Sequence, residues 1–154
     1  MSLTAYGSNS EEAVSKAVQE INRLDAMFSV GNEDSDVTKI NENGSGEVSE
    51  ETAFIMNRAM QVSKETKGAF DITIYPVMEL WGFTTKNYRV PESSEIADVL
   101  KHVSYTNVEV NGQQVTLSDG ASIDLGGIAK GYTSSRVIQI MKDLSLIHIS
   151  EPTR

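Results

Sequence analysis

The sequence has no cysteine, which excludes disulfides, thiolate nucleophiles and cysteine-held metals. It leaves the compartment open, since exported proteins also do without disulfides. No apolar run approaches the roughly 20 residues of a membrane span. No signal-peptide pattern opens the chain, although Met1-Ser2-Leu3 is equally compatible with a leader already removed. Basic residues are few: 13 Lys and Arg stand against 22 Asp and Glu, for a formal net charge of -9. They are scattered, and an acidic surface repels a phosphate backbone, so no nucleic-acid partner is expected. Internal repeats and low-complexity linkers are also missing.

What is present suits one domain. The 154 residues can bury a core, and the length is equally compatible with a piece of something larger; 39% hydrophobic and 23% charged content is ordinary for a soluble globular chain. Ser8 and Glu11 stand at capping-box spacing before a long helix. Val14, Ala17, Val18, Ile21, Leu24 and Phe28 form its apolar stripe. Asp25, near its end, is read as a surface residue in preference to one that faces a ligand cleft. Residues 29–46 are polar. Their acidic group, Glu33, Asp34 and Asp36, lacks the glycine and terminal glutamate of an EF-hand loop. A solvated loop is expected there, with Val37, Ile40 and Asn41 in one short helical turn. A second helix opens at Ser49, with Glu50 and Glu51 complementing its positive end and Val48 stapling onto Ala53. Ile55, Met56, Ala59, Met60 and Val62 give it a buried face, and Lys67-Gly68 closes it.

Asp71 and Thr73 alternate with Ile72 and Ile74, a strand pattern, and Pro76 opens a short helix that stops at Gly82. The lone tryptophan is a core anchor by default. Trp81-Gly82-Phe83 is also a stretch of aromatic surface that would wall a flat heterocycle. A third helix is expected from about Ser94 to Val103. His102 then lies at its end, a surface histidine with Asp98 one turn earlier and no catalytic role. From Tyr105 the period becomes two: Val108 and Val110 lead into Asn111-Gly112, a type I′ hairpin signal, and Val115 and Leu117 return. Asp119-Gly120 makes a second turn, Ser122 to Leu125 reads as a strand, and a closing helix uses Ile128, Tyr132, Val137, Ile138, Met141 and Leu144. The fold class implied is α+β, with helices packed on an antiparallel sheet.

The chemistry concentrates in Asp124-Leu125-Gly126-Gly127-Ile128-Ala129-Lys130-Gly131-Tyr132. It reads as a strand end, a two-glycine turn and a helix start. Such a turn lets a ligand approach the backbone, and the helix behind it presents N–H groups and partial positive charge to an anion. Asp124 adds a carboxylate and Lys130 a mobile cation. The spacing is neither the P-loop nor the G-x-G-x-x-G pattern, so a turn whose glycines serve only packing is an equal reading of these residues alone.

Taken in order, several stretches resemble the ApbE family of flavin transferases (FAD:protein FMN transferases, formerly called thiamine-biosynthesis lipoproteins). They are Asp25 through Phe28-Ser29, Ser35 through Ile40-Asn41, and Gly68-Ala69-Phe70-Asp71-Ile72-Thr73. Pro76 with Leu80-Trp81-Gly82-Phe83 follows, then Asp124 through Tyr132. The likeness spans roughly residues 11 to 144.

The resemblance implies an ApbE-like (T-fold-like) partial domain over residues 1–144, truncated, followed by a tail at 145–154 that does not continue the pattern. It implies a magnesium-dependent enzyme that transfers FMN from FAD to a threonine of a target flavoprotein, with release of AMP. The cofactors implied are FAD, as substrate, and Mg2+. Carried over residue by residue, Asp124 and Lys130 contact FAD, Gly127 offers its carbonyl to the metal, and Trp81, Gly82 and Phe83 line the flavin or adenine pocket. No catalytic residue is assigned: the histidine proposed as base and the acidic, threonine-containing segment belong to the family's later half. Gly31 stands where many members carry an aromatic residue that stacks on the isoalloxazine. An extracytoplasmic, lipid-anchored full-length protein is the implied localisation. An open sheet edge makes a homo-oligomer a further expectation. The alternatives are a non-catalytic FAD-binding or flavin-trafficking module and an interaction domain without a cofactor.

Overall fold

A computed structural model describes residues 3–144; the tail expected at 145–154 lies outside the described residues. The chain divides into two compact units, residues 1–25 with those from 130 onward, and residues 26–129. Two long helices, α1 (Ser10–Phe28) and α6 (Gly126–Asp143), each contribute to both units.

In the first unit the apolar line of α1 is shifted from the one expected. Ala13 and Ala17 are buried, whereas Val18 is 44% exposed. Positions 13, 17, 24 and 28 keep steps close to helical turns, and Val18 falls off that line by about one residue's 100°. Glu20 accepts from Arg23 of its own helix (Nε, 2.8 Å) and from Arg136 of α6 (Nε, 3.1 Å). These donors outweigh the effect of burial and lower its pKa from 4.5 to about 2. Thr133 and Val137 are the buried residues of α6.

The second unit holds the sheet. Between α1 and the next long helix the chain makes more structure than a solvated loop. Ser35 caps α2 (Asp36–Asn43), its hydroxyl accepting from Thr38 N at 3.0 Å. Gly44, with φ 70°, closes it in the left-handed conformation. The single expected turn is thus a capped two-turn helix. Asp36, read as solvated, accepts from the Ser49 N–H at 2.9 Å and the Thr52 hydroxyl at 2.5 Å. It ties α2 to the start of α3 (Glu50–Glu65), which Ser49 caps. Thr52, Ala53, Ile55, Met56, Ala59 and Ser63 are buried on α3. Its chain leaves through Lys67 and Gly68, both at positive φ, and the Gly68 N–H bonds Ser63 O at 2.8 Å.

The sheet has three antiparallel strands in the order β1 (Ser45–Glu47), β3 (Gln114–Leu117), β2 (Val108–Asn111). The hairpin pairs Val110 with Val115 and Asn111 with Gln114, so its loop is Gly112-Gln113. Only Gly112 has positive φ, 61°. This is a II′-like turn led by glycine, because Asn111 still belongs to the ladder; the expected type I′ turn would need positive φ at both loop residues.

Residues 69–74, expected as a strand, form no ladder. Asp71 turns them: its Oδ1 accepts from the Thr73 N–H (2.9 Å) and hydroxyl (2.7 Å), opening a 3-10 turn at Ile72–Ile74. Ile72 and Thr73 are both buried, so the alternation in sequence is not an alternation in burial. A short side chain that bonds the backbone two residues on competes with sheet formation. The next helix, α4 (Tyr75–Leu80), begins with Pro76 in its first turn as expected. The third expected helix ends early, as α5 (Ser93–Val99) followed by a 3-10 turn at Leu100–His102. His102 is not paired with Asp98, which binds Lys101 at 2.6 Å; its Nδ1 lies 2.6 Å from Asp119 O.

Candidate functional site

The Asp124 stretch begins with an extended run, residues 121–125, in which Ala121, Ile123 and Leu125 are buried and Ser122 and Asp124 are half-buried. The alternation fits the strand expectation, but no strand pairs with it. Its hydrogen bonds go elsewhere. Asp124 N donates to Ile72 O at 2.8 Å. Ile123 N donates to Asn41 Oδ1 at 2.7 Å, and Asn41 Nδ2 donates to Ile123 O at 2.9 Å.

The expected two-glycine turn is not a turn. The Leu125 carbonyl already accepts from Ile128 N (3.0 Å) and Ala129 N (2.8 Å), so Gly126 and Gly127 are the first residues of α6. Asp124 Oδ1 accepts from Gly126 N at 2.5 Å and sits at the helix's positive end. The two glycines are explained by close approach. A Cβ on Gly126 would stand 2.9 Å from Asp124 Oδ1, and one on Gly127 3.0 Å from Phe70 Cε2.

Two residues that sequence reasoning left without a role, Asp71 and Tyr75, bear on Asp124. Asp71 Oδ2 accepts from Tyr105 N at 2.7 Å and so pins the turn whose Ile72 carbonyl holds Asp124. Tyr75, at the head of α4, has its phenol pushed up in pKa, first by burial and then by Glu79 and by the Asp124 charge. Glu79 is exposed one turn further along α4. A signal for Asp71 was available, since an Asx residue two before a threonine favours a local turn.

Helix α4 rises about 9 Å over its six residues and delivers the aromatic stretch. Trp81 and Phe83 stack with ring centres 6.3 Å apart and planes 11° from parallel, and Tyr88 meets Phe83 edge-on at 5.9 Å. Phe83 is 50% exposed. Gly82 is buried at φ 73°, and a Cβ there would come within 2.0 Å of Asn87 O. Arg89 fastens the loop by donating from Nε to Leu80 O and from its fork to both oxygens of Glu95. Trp81 and Phe83 are thus brought together, but neither shares a hydrogen bond or ring contact with Asp124. Lys130 is exposed on α6 and belongs to the other unit.

Among the described residues no three His, Asp or Glu side chains converge as a metal site. The oxygens considered for a metal here are the Asp124 carboxylate, at the N-terminal end of α6, and the Gly127 carbonyl, within its first turn, which keeps a second lone pair. That set fits Mg2+, which takes one or two protein oxygens and completes its shell with water and phosphate.

Comparison with known proteins agrees with this layout. The ApbE family model matches residues 1–149. The FAD:protein FMN transferase of Haemophilus influenzae is 27% identical over 155 residues, covering 94% of this chain and 44% of that protein. Its namesake in Vibrio cholerae is 30% identical over 132 residues, covering 78% and 39%. The crystal structure of the ApbE protein of Thermotoga maritima superposes with a TM-score of 0.83 at 39% identity, over 88% of this chain and 46% of that one. The apo flavinyl transferase ApbE of Pseudomonas stutzeri shares the fold at a TM-score of 0.80 and 24% identity. The chain spans less than half the length of these relatives. A match that runs from residue 1 to residue 149 leaves almost nothing of the sequence outside it, and the chain belongs to the ApbE family.

Proposed function

We propose that this chain supplies the FAD-binding part of a magnesium-dependent FAD:protein FMN transferase. The observation that carries this is the Asp124 carboxylate, held at the first N–H of a glycine-led helix with Oδ1 engaged and Oδ2 left over. Asp124 would bond the dinucleotide, Lys130 would lie beside its phosphates, and Trp81, Gly82 and Phe83 would line the flavin or adenine pocket. The Gly127 carbonyl would hold Mg2+, whose contribution when bound is to neutralise charge on the pyrophosphate.

In the reaction proposed, the hydroxyl oxygen of an acceptor threonine bonds to the FMN phosphorus. The bridging P–O bond breaks, and its electron pair leaves with AMP. The threonine proton passes to a base that the described residues do not identify. Positioning and charge neutralisation carry most of such a transfer. The partner is a target flavoprotein, and the full-length protein is proposed to be extracytoplasmic and lipid-anchored.

An FAD titration followed by flavin fluorescence tests the reading. Wild-type protein with Mg2+ should bind, and Asp124→Ala should bind about tenfold more weakly, the equivalent of one charged hydrogen bond. Unchanged affinity in Asp124→Ala would remove that residue from the site. FAD binding without AMP release in the presence of Mg2+ and an acceptor peptide would count against transfer by this chain alone and not against the activity of the full-length protein.

A further inference from the structure

Asn41 belongs to the Ile40-Asn41 string that carries part of the family likeness, yet the sequence assigns it no task. In the structure its amide does what a neighbouring strand would do. A paired residue in an antiparallel ladder gives one N–H and receives one through its carbonyl. Ile123 makes this exchange with a side chain: its N–H reaches Asn41 Oδ1 at 2.7 Å, and its carbonyl receives Asn41 Nδ2 at 2.9 Å.

Ile123 is fully buried, so water is a poor substitute for either bond. Asn41 is itself well anchored. It stands on α2, whose Val37 and Ile40 are buried and whose Asp36 is bonded to Ser49 and Thr52. The next backbone group along, Asp124 N, is taken by Ile72 O. The backbone on which the Asp124 carboxylate rides is therefore fixed from two sides, by a side chain of α2 and by the 3-10 turn that Asp71 organises.

We infer that Asn41 is a positioning residue for the FAD site. It stands in for a strand partner of Ile123 and so fixes the direction in which Asp124 presents its carboxylate at the head of α6. This rests on the proposed role of Asp124 in FAD binding. No other residue type of that size offers both halves of the exchange. Aspartate keeps the acceptor but loses the donor and sets a negative charge against the Ile123 carbonyl.

The test is FAD titration of the full chain as wild type, Asn41→Ala and Asn41→Asp, each also combined with Asp124→Ala. Amide hydrogen exchange on the same proteins is the second readout. Asn41→Ala should weaken FAD binding about tenfold, with Asn41→Asp in between. Once Asp124 is alanine, Asn41→Ala should add little further loss, whereas a general destabilisation would subtract the same amount again. The Ile123 amide should exchange faster in Asn41→Ala while those of Glu109 and Thr116, partners in the hairpin, keep their protection. Should Asn41→Ala not fold, Asn41→Asp serves for every comparison.

Undiminished FAD binding, a full additive loss in the double variant, or an unchanged Ile123 amide would each overturn the assignment. Those results leave the proposed function standing, because the wild type still binds. Wild-type protein that takes up no FAD would overturn both.

Discussion

The hairpin at 108–117 and the run at 121–125 look alike along the sequence. Both alternate apolar and polar residues, and both bury one face. The hairpin closes its hydrogen bonds within a ladder, Glu109 against Thr116. The run closes them with the Asn41 side chain and the Ile72 carbonyl. In these two regions alternation reports which side chains are buried, not what the backbone is paired to. A ladder is repetitive and serves stability. A run held by single, individually placed groups can end in a carboxylate that points at a helix terminus.

The largest effect should come from burial, which the two regions share. Ile123→Ala empties a fully buried site and should lower the unfolding free energy by about 2–5 kcal/mol in a urea titration. A loss as small as a surface substitution gives would mean that packing does not hold the run, and the likeness to the hairpin would be gone.

The turn distinguishes them next. Gly112 leads the hairpin loop at φ 61° with open space around it, so Gly112→Ala meets only the backbone penalty, about 1 kcal/mol. It should lower stability by that much and leave FAD affinity alone. A parallel loss of FAD binding would show that the hairpin is not separable from the site.

Acid should act on the run first, and more gently. Burial alone would push Asp36 up, but donation from the Thr52 hydroxyl and from Ser49 outweighs it and holds the carboxyl below 3.8. A depressed carboxyl contributes its full stabilisation above 3.8 and loses it as the pH falls below that value toward the folded-state pKa. On acidification, exchange at the Ile123 amide should therefore rise before exchange at Glu109 and Thr116. Simultaneous loss would mean that α2 does not hold the run independently of the sheet.

Much of this was legible beforehand, for a physical reason. The long helices announce themselves by periodic apolar residues and capping signals, as Ser49, Pro76 and Gly68 illustrate. The helix start after Asp124 showed in its paired glycines. The misreadings share a cause: a polar side chain replaced a backbone partner, and propensity does not record such substitutions. Asp71 converted an apparent strand into a turn. Asp36 drew a supposed solvated loop onto α3. Asn41 made a strand unnecessary for Ile123. Gly126-Gly127 was read as a bend, although the helical bonds to Leu125 begin immediately before it. The hairpin slipped by one residue because Asn111 pairs with Gln114 before the chain turns.

The hydrogen bond from the Gly126 amide to Asp124 has a bearing on selectivity. With Oδ1 engaged by the backbone at 2.5 Å, Oδ2 is the carboxylate oxygen that this bond leaves over. A sugar hydroxyl is served by one acceptor, and so is a small hard cation content with one-point ligation. In the proposed FAD site the first helical amide would thus hold the carboxylate by one oxygen and leave the other to the guest.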